Sequence, residues 1–289
     1  MKSQLHKVKS FVTLAKPRIS LMVVMTTFTG FYVCSISTNQ FTHNWIWVCV
    51  SVFFMASSAS TFNQVIEIET DALMKRTSKR PLVSGVLSKR ESWFFGVVSF
   101  LLGMICMYLG ANRVAMVILC ITFFSYVLLY TPMKTRSTLN TIVGAVPGAL
   151  PPLIGWVAVS GRINLGGMIL FMILFLWQLP HFLAIAWMYR DEYKNAGMSM
   201  ITEKKGSGPF VAGHALLYTV ALISVAMLPR LIDMAGSLYF FGSLFLGLCF
   251  ALLVGGFVWK QNVKSARRVL LGSVLYLPAL FGLLMIDAL

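Results

Sequence analysis

Nine stretches of this chain are each long enough to cross a bilayer and nearly free of charge, and no other feature restricts the possible folds so severely. A hydrocarbon core of about 30 Å is spanned by roughly 20 apolar residues in a helix. Such runs lie at roughly 18–36, 45–66, 93–109, 114–132, 140–160, 165–188, 213–229, 235–258 and 269–287. They are continuous rather than alternating, which excludes an outer-membrane barrel, whose lipid-facing and lumen-facing residues must alternate. With 58% hydrophobic and 11% charged residues, the 289-residue chain also has too few polar groups to coat a water-soluble globule. The expectation is an all-α, polytopic membrane protein with nine transmembrane helices. It should form one integral-membrane domain over 1–289, because the longest connections, roughly 67–92 and 189–212, are too short to fold alone.

A net charge of +15 would point to nucleic acid in a soluble protein. Here the distribution of the charge gives it another meaning. Of the 24 Lys and Arg, all but Arg113, Arg162 and Arg230 fall in the N-terminal segment or in connections that follow even-numbered spans. The positive-inside rule therefore predicts a cytoplasmic N-terminus and, after nine spans, a C-terminus outside. The partner that explains the bases is the lipid bilayer, and no nucleic acid is called for. The basic start up to Arg18 leads into a run of full span length without a clear small-residue cleavage site, so it reads as an uncleaved first helix. It does not resemble an organelle presequence, which favours a bacterial cytoplasmic (inner) membrane. The five cysteines have no C-x-x-C spacing and fall within spans, where apolar packing is the default.

Acidic residues are scarce, and their placement carries the functional signal. Of nine, only Asp233 and Asp287 lie on the sparsely basic side. Carboxylates at a membrane helix end cost up to about 2.5–3.5 kcal/mol each as they approach mid-bilayer, so a cluster of them needs a partner. The first cluster reads NQVIEIETDALMKRTSKRPL over 63–82. Asn63, Glu67 and Asp71 are spaced by four, each step turning about 40° on a helix, so their oxygens project along one stripe. Amide and carboxylate oxygens suit Mg²⁺, which takes one or two carboxylates and completes its shell with water and phosphate oxygens. Lys75, Arg76, Lys79 and Arg80 follow at once. Metal-binding acids next to guanidinium and ammonium groups match a diphosphate, whose oxygens can bridge both. The plainer alternative is a helix end carrying i,i+4 pairs such as Asp71 with Lys75. A second cluster, WMYRDEYKNAGMSM over 187–200, ends span six. If the two helix ends converge, Asp191 and Glu192 face the first cluster, with Asp191 as a further metal ligand.

The string N-x-x-x-[DE]-x-x-x-D followed by R-T-x-x-R-P-L resembles the UbiA-type intramembrane prenyltransferases. Supporting strings are YTPMKTRSTLNTIVGAVPGALPPLIGW over 130–156 and FLWQLPHFLAIAWMYRDEYKNAGMSM over 175–200. Glu67 and the WQLPHF string are similar to the haem-farnesylating branch. Two departures stand out: the second Asp-rich repeat of the wider family is reduced to Asp191 and Glu192, and Ser199 replaces an expected Pro. Residues 210–289 add hydropathy and little motif.

The resemblance implies transfer of a farnesyl group from farnesyl diphosphate to a vinyl group of haem b. Mg²⁺ would be the cofactor, held by Asn63, Glu67, Asp71 and Asp191, with Lys75, Arg76 and Arg80 neutralising the diphosphate. Water capture of the resulting cation would give haem O, for handover to a downstream haem A synthase. Lys134 and Arg136, on another connection of the same face, would close over the diphosphate. Trp177, Gln178 and His181 are polar-capable groups inside span six, and with Asn140 and Tyr130 they are candidates for substrate binding, against a purely structural role in the bundle. Pro147, Pro151 and Pro152 should kink or break span five, and Trp156 reads as an outer interfacial anchor. Two alternatives stay open: prenylation of an aromatic quinone precursor, which would share the diphosphate residues, and a transporter, against which the confinement of charge to one face argues.

Overall fold

The structure is a computed structural model describing residues 2–202 and 206–289, with side chains described from Lys7 onward. Glu203, Lys204 and Lys205, counted above among the loop charges, lie outside the described residues, as does Met1.

An amphipathic helix α1 (Lys2–Leu14) precedes α2 (Pro17–Ser37), α3 (Trp45–Ile66), the short α4 (Ile68–Ala72), α5 (Lys89–Gly110) and α6 (Arg113–Phe124). The fourth span continues through a π-helical turn at Ser125–Tyr130 into α7 (Thr131–Met133). Then follow α8 (Asn140–Ser160), α9 (Leu165–Met188), α10 (Arg190–Asn195), α11 (Gly208–Leu231), α12 (Ser237–Lys260) and α13 (Val263–Ile286). Nine helices among the described residues are long and apolar enough to cross a membrane, at the nine expected places. Spans three, seven and nine begin earlier than the hydropathy runs, because polar caps lengthen two of them: Ser88 and Glu91 form a capping box on α5, and Asn262 caps α13.

Neighbouring helices pack in a ring. The α2 helix lies on α3 and α8, α9 on α8, α11 and α13, and α13 returns to α2. The most enclosed spans are α8 and α9. Their apolar side chains fill the core, whereas Leu252, Leu275 and Phe94 point outward, 78%, 73% and 68% exposed, as a lipid-facing surface demands.

Span five does not break at its prolines: it is helical from Asn140 to Ser160 with Pro147, Pro151 and Pro152 inside it, since neighbouring helices compensate for the missing donors. Trp156 is buried, with Gly166 and Gly167 packed against its indole, and so is a core residue rather than an interfacial anchor. Glycine allows α2 and α8 to cross closely. A Cβ on Gly155 would lie 1.9 Å from the Thr27 carbonyl oxygen, and one on Gly30 would lie 1.9 Å from that of Pro152. All five cysteines are free; Cys34, Cys49 and Cys106 are buried, as apolar packing predicts, and Cys249 is exposed.

Candidate active site

The Asn63–Glu67–Asp71 stripe survives a break in the helix. Glu67 leaves helical geometry between α3 and α4, yet its N–H donates to the Asn63 carbonyl at 3.0 Å and the Asp71 N–H to that of Glu67 at 2.8 Å. Both bonds are i→i−4, so the four-residue spacing still aligns the side chains. All three are buried. Asn63 Nδ2 donates to Thr131 Oγ1 at 3.3 Å, and Thr131 Oγ1 donates to the Tyr126 carbonyl at 2.9 Å. The Tyr126 carbonyl, which also accepts the Thr131 N–H in the π-turn, thus anchors the Asn63 amide through the Thr131 hydroxyl. Asn63 Oδ1 has no partner among the described residues.

Each carboxylate faces a cation. Glu67 Oε1 lies 2.7 Å from Lys134 Nζ, with angles outside hydrogen-bond geometry. Asp71 Oδ2 accepts from Arg80 Nη1, which displaces the Asp71–Lys75 pairing from the plainer reading, and Thr77 Oγ1 holds the Asp71 carbonyl at 2.7 Å. Burial raises the Asp71 carboxyl, against the pull of Arg80. Burial works against the Lys134 ammonium too, but Tyr130, Glu67 and Tyr126 outweigh it and hold it charged. Lys134 also stands 4.8 Å from the centre of the Tyr130 ring. Asp71 Oδ1 is buried and without a partner. An orphaned carboxylate oxygen beside Glu67 and the Asn63 amide is an all-oxygen donor set suited to a hard divalent cation completed by substrate oxygens.

Lys16 joins this cluster, although the sequence offered it only as a topological charge. It sits in the turn between α1 and α2 with a left-handed backbone, φ 47°. That turn is tied down by α3: Gln64 Nε2 and Ser60 Oγ donate to the Leu14 carbonyl at 2.8 and 3.2 Å. Leu14 packs with Leu82 and Leu87. Burial, then Arg80 and Lys134, push the Lys16 amine down to about 7, with Glu67 and Asp71 opposing. An entering anion favours the charged form, so diphosphate binding at about pH 8 should draw in part of a proton. Calorimetry in buffers of different ionisation enthalpy should register that uptake in the native protein and lose it in Lys16→Met. Equal uptake in both would remove Lys16 from the binding site.

The second cluster reaches the first by another route than expected. Arg76 donates from Nη2 to Tyr193 Oη at 3.1 Å and lies over the rings of Tyr189 and Tyr193. Its backbone N–H donates to Glu192 Oε2 at 3.4 Å. Arg76 is therefore a clasp between the loops. The Asp191 side chain is 89% exposed with Arg190 Nε at 3.9 Å, and it lines a separate opening with Trp187, Lys194 and Gln261. No group of three or more His, Cys, Asp or Glu that could hold a metal occurs among the described residues. The structure does not bring Asp191 to Glu67 and Asp71 in the expected way, because the helix end that carries it turns its neighbours Glu192 and Tyr193 toward Arg76 instead.

Lys75, Lys79 and Arg136 remain exposed around the cluster. Asn140 is buried with its amide nitrogen donating to the Ser137 and Ser199 carbonyls, each at 2.7 Å, so it ties loops together rather than reaching toward substrate. Gln178 is likewise spent on the Leu174 and Ala145 carbonyls at 3.1 and 3.4 Å. Trp177 Nε1 donates to the Ser273 carbonyl at 2.8 Å, and His181 stacks on its indole. Tyr126, Tyr130, Lys134 and His181 are each partly covered.

A ring of lipid-facing helices around an enclosed cluster of carboxylates and cations defines a membrane-embedded enzyme that handles a charged group at the end of an apolar substrate. The chain belongs to the UbiA prenyltransferase family, whose profile matches residues 23–280. It is similar to a protoheme IX farnesyltransferase of Solibacter usitatus, 38% identical over 96% of this chain and 98% of the relative. A protoheme IX farnesyltransferase of Rickettsia rickettsii is 36% identical over 96% and 90%. Among solved structures, a digeranylgeranylglyceryl phosphate synthase superposes with TM-score 0.78 at 18% identity, covering 98% of both chains. A UbiA homologue from Archaeoglobus fulgidus bound to GPP and Mg²⁺ gives 0.67 at 14% identity, covering 95% of this chain and 99% of that one. The chain is a multi-pass membrane prenyltransferase.

Proposed function

We propose that this protein transfers the farnesyl group of farnesyl diphosphate to a vinyl group of haem b, with addition of water, to make haem O in a bacterial cytoplasmic membrane. The acceptor is suggested by the full-length relatives named protoheme IX farnesyltransferase. The diphosphate reading is carried by one observation: the buried, unpartnered Asp71 Oδ1 among Lys16, Arg80 and Lys134. The orphaned oxygen can take a cation, and Arg80 and Lys134 beside it can meet the anion that such a cation carries.

Asn63, Glu67 and Asp71 would hold Mg²⁺, which would neutralise charge developing on the leaving diphosphate. The same cation is named with the Archaeoglobus fulgidus homologue. Lys134, Arg80 and Lys16 stabilise the departing oxygens, and Arg76 holds the second loop in place. As the allylic C–O bond breaks, the vinyl group attacks the farnesyl carbon and forms the C–C bond. The cation left on the former vinyl carbon takes a hydroxyl from water, which releases a proton. Trp177 and His181 line the acceptor side, and the apolar walls exclude other water from the first cation. Purified protein given farnesyl diphosphate, Mg²⁺ and haem b should yield haem heavier by one farnesyl and one hydroxyl group. Prenylation of 4-hydroxybenzoate with haem untouched would overturn the acceptor assignment while leaving the diphosphate site intact.

A further inference from the structure

The last helix contributes a residue to the acceptor side that hydropathy alone concealed. Ser273 on α13 is buried and meets α9 twice: its carbonyl accepts from Trp177 Nε1 at 2.8 Å, and its Oγ lies 2.7 Å from His181 Nδ1. That Oγ is also 2.7 Å from the Leu270 carbonyl. A carbonyl oxygen brings no proton, so at this separation the single serine proton must lie between Oγ and the Leu270 oxygen. Oγ is then an acceptor toward His181, and the proton between them belongs to Nδ1. The ring's Nε2 is left with its lone pair, and among the described residues it has no hydrogen-bond partner. It is not among the buried polar atoms that lack one, and His181 itself is only partly covered. The indole of Trp177, 5.1 Å away at 26°, fixes the plane of the ring. A half-covered histidine with a tied Nδ1–H, a stacked ring and an unused Nε2 is the arrangement by which proteins present imidazole to a metal.

We propose that Ser273 is a positioning residue that holds His181 as its Nδ1–H form, so that Nε2 coordinates the iron of a metalloporphyrin acceptor and sets that acceptor over the farnesyl site. The assignment rests on the haem reading above. It makes binding depend on the iron, not on the macrocycle alone.

The test uses the full-length protein in detergent, with haem b and iron-free protoporphyrin IX as probes and optical and resonance Raman spectra as readout. Bound haem should show a histidine-ligand signature, lost in His181→Ala and restored by added imidazole. Ser273→Ala should weaken haem binding by about tenfold or more, the usual cost of removing a histidine's hydrogen-bond partner. Protoporphyrin IX binding should not change, and Ser273→Thr, which retains the hydroxyl, should recover most of the haem affinity. Wild-type protein that farnesylates haem without a histidine signature would overturn the proposal. So would Ser273→Ala with wild-type haem affinity, or with equal losses for haem and protoporphyrin, the mark of mere packing. Protein that neither binds nor farnesylates haem overturns the underlying reading, and the assignment with it.

Discussion

Replacement of Asp71 by alanine is expected to lower turnover by about a hundredfold or more, since it removes one of two carboxylates available to a cation and exceeds the usual cost of losing a supporting group. The side chain is 1% exposed, one oxygen pairs with Arg80, and the other has no partner. Alanine also leaves Arg80 without its counter-ion. Because the Arg80 side chain retains 21% exposure, water can reach it, and the protein should still assemble. Asp71→Asn separates the two effects by keeping the shape and removing the charge. Both variants should need more Mg²⁺ for half-maximal rate, measured alongside thermal stability in detergent. Full activity with an unchanged Mg²⁺ requirement would remove Asp71 from the cation site.

The largest structural effect should come from Gly155→Leu, which is expected to cost about 3 kcal/mol or more and to prevent accumulation of folded protein. The obstacle is backbone: a Cβ at 155 meets the Thr27 carbonyl oxygen at 1.9 Å and the Phe31 nitrogen at 2.8 Å. No rotamer change relieves such contacts, so α2 and α8 would have to separate, and α2 carries Lys16 at its start. Gly256→Ala in α12 is the matched control, because its added Cβ meets nothing within 4 Å and alanine favours the helix. Size-exclusion profiles and melting in detergent decide the matter. A Gly155→Leu protein as monodisperse and as stable as the native one would show that the crossing is looser than described.

Residues whose role depends on neighbours along the chain were legible in advance. The i,i+4 stripe of Asn63, Glu67 and Asp71 holds because local hydrogen bonds carry it through the break at Glu67. Lys134 and Arg80 were expected near the diphosphate, and the structure pairs them with Glu67 and Asp71. Roles that depend on distant segments were not legible. Asp191 was expected to face the first cluster if the helix ends converged, yet a short helix end decides by rotation alone which of Asp191, Glu192 and Tyr193 turns inward. Lys16 gave only the signal of being the last cation before the first span, indistinguishable from an orientation charge until Gln64 and Ser60 pinned its turn. Ser273 gave no signal, because one serine in an apolar helix is unremarkable until His181 meets it.

Hydropathy and charge asymmetry by themselves determined that this chain is a nine-helix membrane protein with its ionisable chemistry at one face, since a bilayer leaves unpaired polar backbone no alternative to helix. Motif spacing determined that Asn63, Glu67 and Asp71 share one stripe. Only the tertiary structure decided which cation answers which carboxylate, that Arg76 is a clasp, and that α13 reaches back to orient His181. Those pairings join segments as much as 117 residues apart, and contacts at such separation arise from how helices pack, which no local pattern encodes.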